Sequence, residues 1–276
     1  MKKALLYIPL LILLASCENE VDGPAWPDHD PKLVVTANIR VEGDSVQVFC
    51  RVSRTMALNE EFRIDRAMVN DAVVEIHHDG EIHNIPYRTG YYPYDFDVNY
   101  AGFLPRGSSG RYELVVRKDA MTARSVLEVP ELPLTFDQFK VQWYDPSNRE
   151  SNVYYRLSTP QNRIRYDLIV EGYYSGPGGG WYVIPFGGRP LIEASYAAYT
   201  EGTFRLGYSH PEQERMRYIL TAISPQYTAF QDSRWWSGYS GSPFEPEEQN
   251  PAFNVGGDGI GFFWWELVGE PVEFSY

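Results

Sequence analysis

Four residues around an Asp-Gly turn are the nearest approach in this sequence to a metal-binding cluster. His77, His78 and Asp79 are consecutive, and His83 follows four residues later. Across the Asp-Gly hairpin, His77 and His83 could face each other and share a metal ion with a carboxylate. Successive residues of a strand point to opposite faces, so His77 and His78 cannot converge on one site. We therefore expect solvent-exposed hairpin histidines and no metal site.

Familiar catalytic motifs are missing from the sequence. The Gly-Ser segments at 107–110 and 238–241 lack the Gly-x-Ser-x-Gly spacing of a nucleophile elbow. The glycine run at 176–180 is not followed by Lys-Ser or Lys-Thr, so it is not a phosphate-binding loop. Acidic pairs at 60–61 and 247–248 lie in polar loop sequence. A glycosidase pair stays open, because its carboxylates need only meet in space. We predict a non-catalytic protein without a cofactor, with an enzyme acting on glycans or peptides as the alternative.

Clusters of aromatic residues are more informative about function than the catalytic motifs. Tyr91, Tyr92 and Tyr94 lie in a predicted loop rich in Asp and Asn, and Trp235 and Trp236 lie near the end of a predicted helix. Aromatic rings provide a large contact area at a low conformational-entropy cost. We predict that these five residues contact a ligand or a partner. Packing in the core or between domains is the alternative for the tryptophans.

Two further residue patterns predict packing. Trp264 and Trp265 are adjacent in a predicted strand, so one ring must face away from the main core. That ring either packs on the helix or joins a contact surface. Cys50 shares a strand face with valines, which predicts a buried apolar residue rather than a reactive thiol.

The first residues have the pattern of a lipoprotein export signal. Lys2 and Lys3 precede an apolar run over 4–14, and Leu-Ala-Ser-Cys follows at 14–17. The run is too short for a permanent membrane-spanning helix. We predict a signal peptide over 1–16 and lipidation of Cys17 with a diacylglyceryl group and palmitate. Residues 17–31 are predicted to be a flexible acidic tether. The alternative interpretation of residues 1–16 is an ordinary secretory signal.

The charge of the chain restricts its partners. It has 24 Lys and Arg residues against 37 Asp and Glu residues, which gives a formal net charge of -13. Loss of Lys2 and Lys3 with the signal peptide leaves 22 basic residues and a net charge of -15. An acidic protein is a poor ligand for nucleic acid or for anionic lipid by charge alone. We predict no nucleic-acid partner, and attachment to a membrane through the lipid anchor.

Short alternating runs between turn residues predict a mainly β chain. The first two predicted hairpins turn at Gly43 and at Asp79-Gly80, with strands at 33–39, 45–52, 72–77 and 81–85. The prolines at 130–133 indicate a domain boundary. We predict an N-terminal immunoglobulin-like or transthyretin-like β-sandwich over 32–133. A second β-rich domain follows over 134–276, with one short helix near 225–236 capped by Ser224.

Four segments, in this order, resemble a family of Bacteroidota outer-membrane lipoproteins classed as a domain of unknown function (DUF4249). The first is the lipobox ending at Cys17 with the strand opening Pro-Lys-Leu-Val-Val at 31–35, and the second is Val-Asn-Asp-Ala-Val-Val-Glu-Ile at 69–76. The second segment continues through 88–92 and 110–116. The third is a strand that leads into a helix at 220–227, and the fourth is a glycine-rich ending at 254–263. One departure is Asn254-Val255, where the family usually has Asn-Ile.

The resemblance implies a location and a partner. It implies an outer-membrane lipoprotein, on the cell surface or the periplasmic face, that serves as an accessory binding component of a TonB-dependent nutrient transporter. It brings no catalytic residues. Glu18 and Glu20 resemble the short acidic signal that directs some lipoproteins of this phylum to the cell surface. An adhesion or matrix module is a further alternative.

Overall fold

The computed structural model describes residues 30–57, 60–61, 63–92, 96–105, 109–132, 134–145, 150–157, 164–174, 180–183, 191–193, 200–207, 215–230 and 252–275. Most of these residues form β-strands, which confirms the prediction of a mainly β chain. The described residues also include two short helices, α1 (Ile64–Ala67) and α2 (225–230).

The strands fall into two groups along the chain. The first half contains β1 Leu33–Glu42, β2 Ser45–Arg54, β3 Val73–His78, β4 Glu81–Asn84, β5 Tyr87–Tyr92, β6 Phe96–Leu104, β7 Gly110–Lys118 and β8 Met121–Val129. The second half contains β9 Gln138–Asp145, β10 Glu150–Leu157, β11 Arg165–Tyr174, β12 Gly180–Val183, β13 Leu191–Glu193, β14 Thr200–Gly207, β15 Arg215–Ile223, β16 Gly256–Gly257, β17 Gly259–Val268 and β18 Val272–Ser275.

The tight turns form where the sequence places them. Asp79 and Gly80 connect β3 to β4 with φ angles of 50° and 79°, as a two-residue hairpin turn requires. Gly43 has a φ of 55° between β1 and β2. Both hairpins are therefore confirmed. The pair β5–β6 was not predicted, because Arg88-Thr89-Gly90 interrupts any apolar alternation.

The start of α2 also follows from the sequence. The Tyr227 amide donates a hydrogen bond to Oγ of Ser224 over 3.3 Å, which confirms the predicted cap. Pro225 takes the first helical position, where its missing N–H costs no hydrogen bond. The predicted end of the helix near residue 236 lies outside the described residues.

The strands form a long central sheet and two smaller sheets. The central sheet has the order β12-β11-β15-β17-β1-β2-β6-β5, with β13 and β18 paired to β11 and β15. The five-stranded sheet is β16-β8-β7-β3-β4 and the three-stranded sheet is β14-β10-β9. Tyr218 packs with the three-stranded sheet and Leu220 with the five-stranded sheet. They are two residues apart on β15, so both small sheets cover the same face of the central sheet, here called the inner face.

The two faces of the central sheet explain the adjacent tryptophans. Trp265 is buried in the inner core with Phe263, whereas Trp264 lies on the outer face. Its ring stacks on Tyr227 of α2, with 5.3 Å between the ring centroids. One tryptophan thus faces away from the main core and packs on the helix. Cys50 is fully buried in the inner core and burial raises the pKa of its thiol, which confirms an inert apolar role.

The last long strand connects the two halves of the chain. β17 runs parallel to β1 over ten residues, from Leu33 opposite Gly259 to Glu42 opposite Val268. It also pairs with β15, and the short strand β16 pairs with β8. Strands from 134–276 therefore complete both sheets formed by 32–133. The domain boundary at 130–133 stays a prediction.

Glycines allow β16 and β17 to approach their neighbours. Gly261 has a φ of 141°, and a Cβ atom there would overlap the carbonyl oxygen of Val35. A Cβ on Gly259 would overlap the side chain of Ala123 in β8. The chain can cross from the five-stranded sheet to the central sheet only because these side chains are absent.

We predict that Gly261→Ala destabilises the protein by about 3 kcal/mol or more, because the added methyl meets backbone that cannot move independently. The matched control is Gly256→Ala, since a Cβ there meets no atom within 4 Å. Urea unfolding followed by tryptophan fluorescence measures both. Equal midpoints for the two variants would contradict the role of the close approach.

Candidate functional site

The predicted contact residues fall mostly outside the described part of the chain. The backbone of Tyr91 and Tyr92 lies in β5, paired with Asp97 and Phe96 of β6, so these two residues belong to a hairpin strand rather than a loop. Tyr94 lies outside the described residues, as do Trp235, Trp236 and Cys17. Their contact and lipidation roles stay predictions.

The histidine predictions need correction. His83 pairs with Ile76 and His77 pairs with Ile82, so His77 and His83 lie on opposite faces of the five-stranded sheet and cannot face each other. His78 is buried rather than solvent-exposed. The two-residue turn fixes this register, since a shift by one residue exchanges the faces. No cluster of three or more His, Cys, Asp or Glu side chains among the described residues is suited to a metal ion.

His78 forms a buried stack with Tyr112. The two rings are nearly parallel, with centroids 3.9 Å apart, and Nδ1 of His78 donates to the carbonyl oxygen of Arg111 over 3.0 Å. The Tyr112 hydroxyl is buried and has no hydrogen-bond partner in the described part of the chain. Burial raises the pKa of Tyr112 to about 12. The stack is a packing element near the turn of the β3–β4 hairpin.

His77 belongs to an ion-pair network on the exterior of the five-stranded sheet. Its Nε2 lies 2.9 Å from Oε2 of Glu75, and Arg117 binds the other oxygen of that carboxylate. The hydrogen bond from His77, and then the contact with Arg117, hold the pKa of Glu75 below its usual range despite partial burial. Arg124 similarly pairs with Glu113. The charges on this face balance one another, which is typical of a solvated sheet surface.

A row of buried charges crosses the outer face of the central sheet. Glu266 of β17 is almost fully buried, and Arg40 directly opposite it on β1 lies at 3.7 Å. Asp167 of β11 is equally buried, and its carboxylate lies 3.4 Å from the Arg165 guanidinium. The backbone carbonyl oxygen of Asp167 accepts a hydrogen bond from the Thr221 hydroxyl. Each carboxylate has a guanidinium partner, at a desolvation cost, and the Arg40–Glu266 pair joins two neighbouring strands whereas the Arg165–Asp167 pair lies within β11.

Among the described residues, an exposed surface with the composition of a binding site lies near β12, on the outer face of the central sheet. Guanidinium carbons of Arg215 and Arg217 lie 5.3 and 4.5 Å from the Trp181 ring centroid. Tyr173 meets the Trp181 ring edge-on at 5.4 Å, and Arg217 also binds Glu171. Tryptophan, tyrosine and arginine contribute most to protein contacts. We call Tyr173, Trp181, Arg215 and Arg217 the arginine–aromatic cluster.

The arginine–aromatic cluster and the row of buried charges were not predicted from the sequence. A local signal exists for the first, because Arg215-Met216-Arg217 places two cations on one face of a strand around a buried Met216. Trp181 reaches them only through the pairing of β12, β11 and β15. In the row of charges, Arg40 and Glu266 are 226 positions apart. Their proximity depends on tertiary pairing.

Together the fold and its surfaces define a mainly β protein with one long sheet covered on its inner face by two smaller sheets. None of the helices among the described residues is long and apolar enough to cross a membrane. Residues 19–234 match the sequence model of the family described as "Domain of unknown function (DUF4249)", and the chain belongs to this family. The glycine-rich segment at 254–263 lies beyond the matched region.

Other comparisons add little. No curated protein sequence matches the chain. It is 13% identical to a chain of a solved structure titled "Cytokine receptor complex - Crystal form 1A", covering 87% of this chain and 95% of that one with a TM-score of 0.25. A chain of "Cytokine receptor complex - Crystal form 2" is 14% identical, with coverages of 68% and 89% and a TM-score of 0.24. Scores this low carry no conclusion about fold or function.

We predict that Tyr112→Phe stabilises the protein by about 1 kcal/mol, because it removes a buried hydroxyl without a partner. Tyr100→Phe is the matched control, because its hydroxyl donates to Val69 O and accepts from the Ala72 amide, so its loss should destabilise. Urea unfolding at neutral pH distinguishes the two. A lower midpoint for Tyr112→Phe would contradict the unpaired state of that hydroxyl.

The raised pKa of Tyr112 also gives this comparison a pH dependence. The unfolded phenol ionises near pH 10 and the folded one near 12, so its contribution to stability is present below about pH 10 and is lost as pH rises toward 12. The advantage of Tyr112→Phe should therefore grow between these two pH values.

Proposed function

We propose that this protein is a lipid-anchored, non-catalytic outer-membrane protein that binds a TonB-dependent transporter as an accessory of nutrient uptake. It is held by lipid at Cys17, on the cell surface or the periplasmic face, and it acts through contacts rather than through chemistry. Membership of the DUF4249 family supports this proposal, since the resemblance to these lipoproteins is what suggests the location and the partner.

The observation that carries the proposal is the Leu-Ala-Ser-Cys sequence after an apolar run of export-signal length. It places the attachment point at position 17, and β1 begins at Leu33. The chain thus passes from a lipid-bearing cysteine into the centre of the central sheet within sixteen positions. Each methylene group buried in the bilayer contributes about 0.8 kcal/mol of binding free energy, so several acyl chains are sufficient for stable anchoring.

The arginine–aromatic cluster supports a binding role. The Arg215 side chain is 44% exposed, and its partner Glu273 is 42% exposed. A guanidinium already ordered by stacking on Trp181 loses little entropy when it binds a partner carboxylate. The cluster therefore offers preordered donors and aromatic area at an accessible place, as a protein-contact surface requires.

We predict that Cys17→Ser prevents lipidation and releases or mislocalises the protein. Mass spectrometry of the wild-type mature N-terminus should show an acylated cysteine, and fractionation should find the variant depleted from the outer-membrane fraction. Ser16→Thr retains the cysteine and serves as the control for expression. A soluble wild-type protein that begins downstream of Cys17 would disprove the anchor.

We also predict that Trp181→Ala weakens transporter binding by about 2 kcal/mol, roughly thirtyfold in Kd. The matched control is Phe103→Ala, which removes an aromatic side chain that is 66% exposed in β6. Affinity purification from solubilised outer membrane, followed by quantification of the barrel protein, measures both variants. Equal recovery of the barrel with both variants would exclude the cluster as the contact. Absence of any barrel with the wild type would contradict the partner itself.

A further inference from the structure

The strands of the first half of the chain have two ends along the direction of β1, and β11, β15 and β18 of the second half continue past the distal one. The entry pole is the end where β1 begins, and it contains Lys32, Thr55, α1 and the β7–β8 turn. The distal pole contains the β1–β2 turn at Gly43 and the β3–β4 turn at Asp79. Two backbone contacts fix Lys32 at the entry pole: its amide donates to Oγ1 of Thr55, and its carbonyl accepts from the Thr55 amide, both at 2.9 Å.

We propose that the entry pole faces the lipid surface and that Ile64, with Arg54 and Arg66, contacts the lipid headgroups. The inference rests on the proposed lipid anchor at Cys17 and adds an orientation and a contact surface to it. The distal pole then faces away from the membrane.

The length of chain before the first strand favours this orientation. Position 17 is 13 residues from position 30, and 13 residues span at most about 45 Å when fully extended. The ten residues of β1 separate the two poles by about 33 Å. If the distal pole faced the membrane, the segment between Cys17 and residue 30 would have to extend over most of its length and would lose conformational entropy. If the entry pole faces the membrane, the segment does not have to extend.

The chemistry of the entry pole suits a headgroup layer. Ile64 is 46% exposed on α1, between the charged residues Arg63 and Asp65. Arg54 donates from Nε to the backbone carbonyl oxygen of Arg66, which places the Arg54 guanidinium beside the backbone of α1. No carboxylate of the described residues lies within ion-pair distance of either arginine. An exposed aliphatic side chain beside unpaired arginines matches the apolar and phosphate layers of a lipid interface.

Three carboxylates of the entry pole have cationic partners: Asp65 pairs with Arg63 at 3.1 Å, and Lys118 binds both Asp71 and Asp119. Asp30, Glu60, Glu61 and Asp258 have no Lys or Arg partner among the described residues.

The distal pole presents three strongly exposed carboxylates, of which Glu42 contacts Arg40 at 3.7 Å, whereas Asp79 and Glu81 lie beside His78 and His83 and have no Lys or Arg partner. Such a surface is repelled by phosphate headgroups.

Fluorescence quenching in membranes tests the orientation on the full-length lipidated protein. Ile64→Cys and Asp44→Cys place a thiol at the entry and distal poles, and each is labelled with the fluorophore NBD. Cys50 is fully buried and Cys17 is lipidated, so the wild type should take up no label. The proteins are reconstituted in vesicles of phosphatidylethanolamine and phosphatidylglycerol containing a nitroxide-headgroup lipid.

We expect a severalfold larger loss of fluorescence at position 64 than at position 44. Arg54→Glu with Arg66→Glu should reduce the quenching at position 64, whereas Arg111→Glu, far from the entry pole on β7, should not. Equal quenching at both positions, or stronger quenching at 44, would overturn the orientation while the anchor stands. A protein that fails to float with the vesicles would overturn the anchor as well, so the two failures are distinguishable.

Discussion

The parallel pairing of β17 with β1 is the contact on which the remaining architecture depends. β17 lies between β1 and β15, so it connects strands from the beginning of the chain to strands from its second half. Its inner residues, Phe263 and Trp265, fill the core beneath the five-stranded sheet. Its outer residues support α2. A parallel pair of distant segments requires both faces to be covered, and this strand is buried on both.

The same pairing organises the polar features of the protein. It places Glu266 opposite Arg40 and thereby creates a buried ion pair on the outer face, two residues along β17 from the Trp264 ring that packs on α2. Such a pair contributes little net stability but strongly disfavours other registers, because a one-residue slip would leave a buried charge uncompensated. The contact surface at Trp181 lies farther along the same sheet, at the β12 edge. One continuous sheet therefore carries both the structural charges and the exposed cluster.

The position of β1 relates the fold to attachment at a membrane. Because the first strand is central, the segment that would carry the lipid enters at one pole and is fixed there by Lys32 and Thr55. An anchored protein of this kind presents its sides and its distal pole to partners. The arginine–aromatic cluster lies beyond the distal end of β1, because Thr221 pairs with Val268 opposite Glu42 and Arg217 comes four residues further in that direction. In this arrangement the cluster is far from the lipid surface.

Local features of the sequence determined the parts of the fold that depend on neighbouring residues. Asp79-Gly80 and Gly43 set hairpins through φ angles that other residues resist, Ser224 caps α2, and alternation alone placed Cys50 inside and separated Trp264 from Trp265. Tertiary structure decided what lies against each strand. The burial of His78 on Tyr112, the pairing of Arg40 with Glu266 and the stacking of Arg217 on Trp181 each join segments separated by more than thirty residues. Local propensity and periodicity carry no information on such pairings, because the packing free energy that selects them exists only once the distant strands meet.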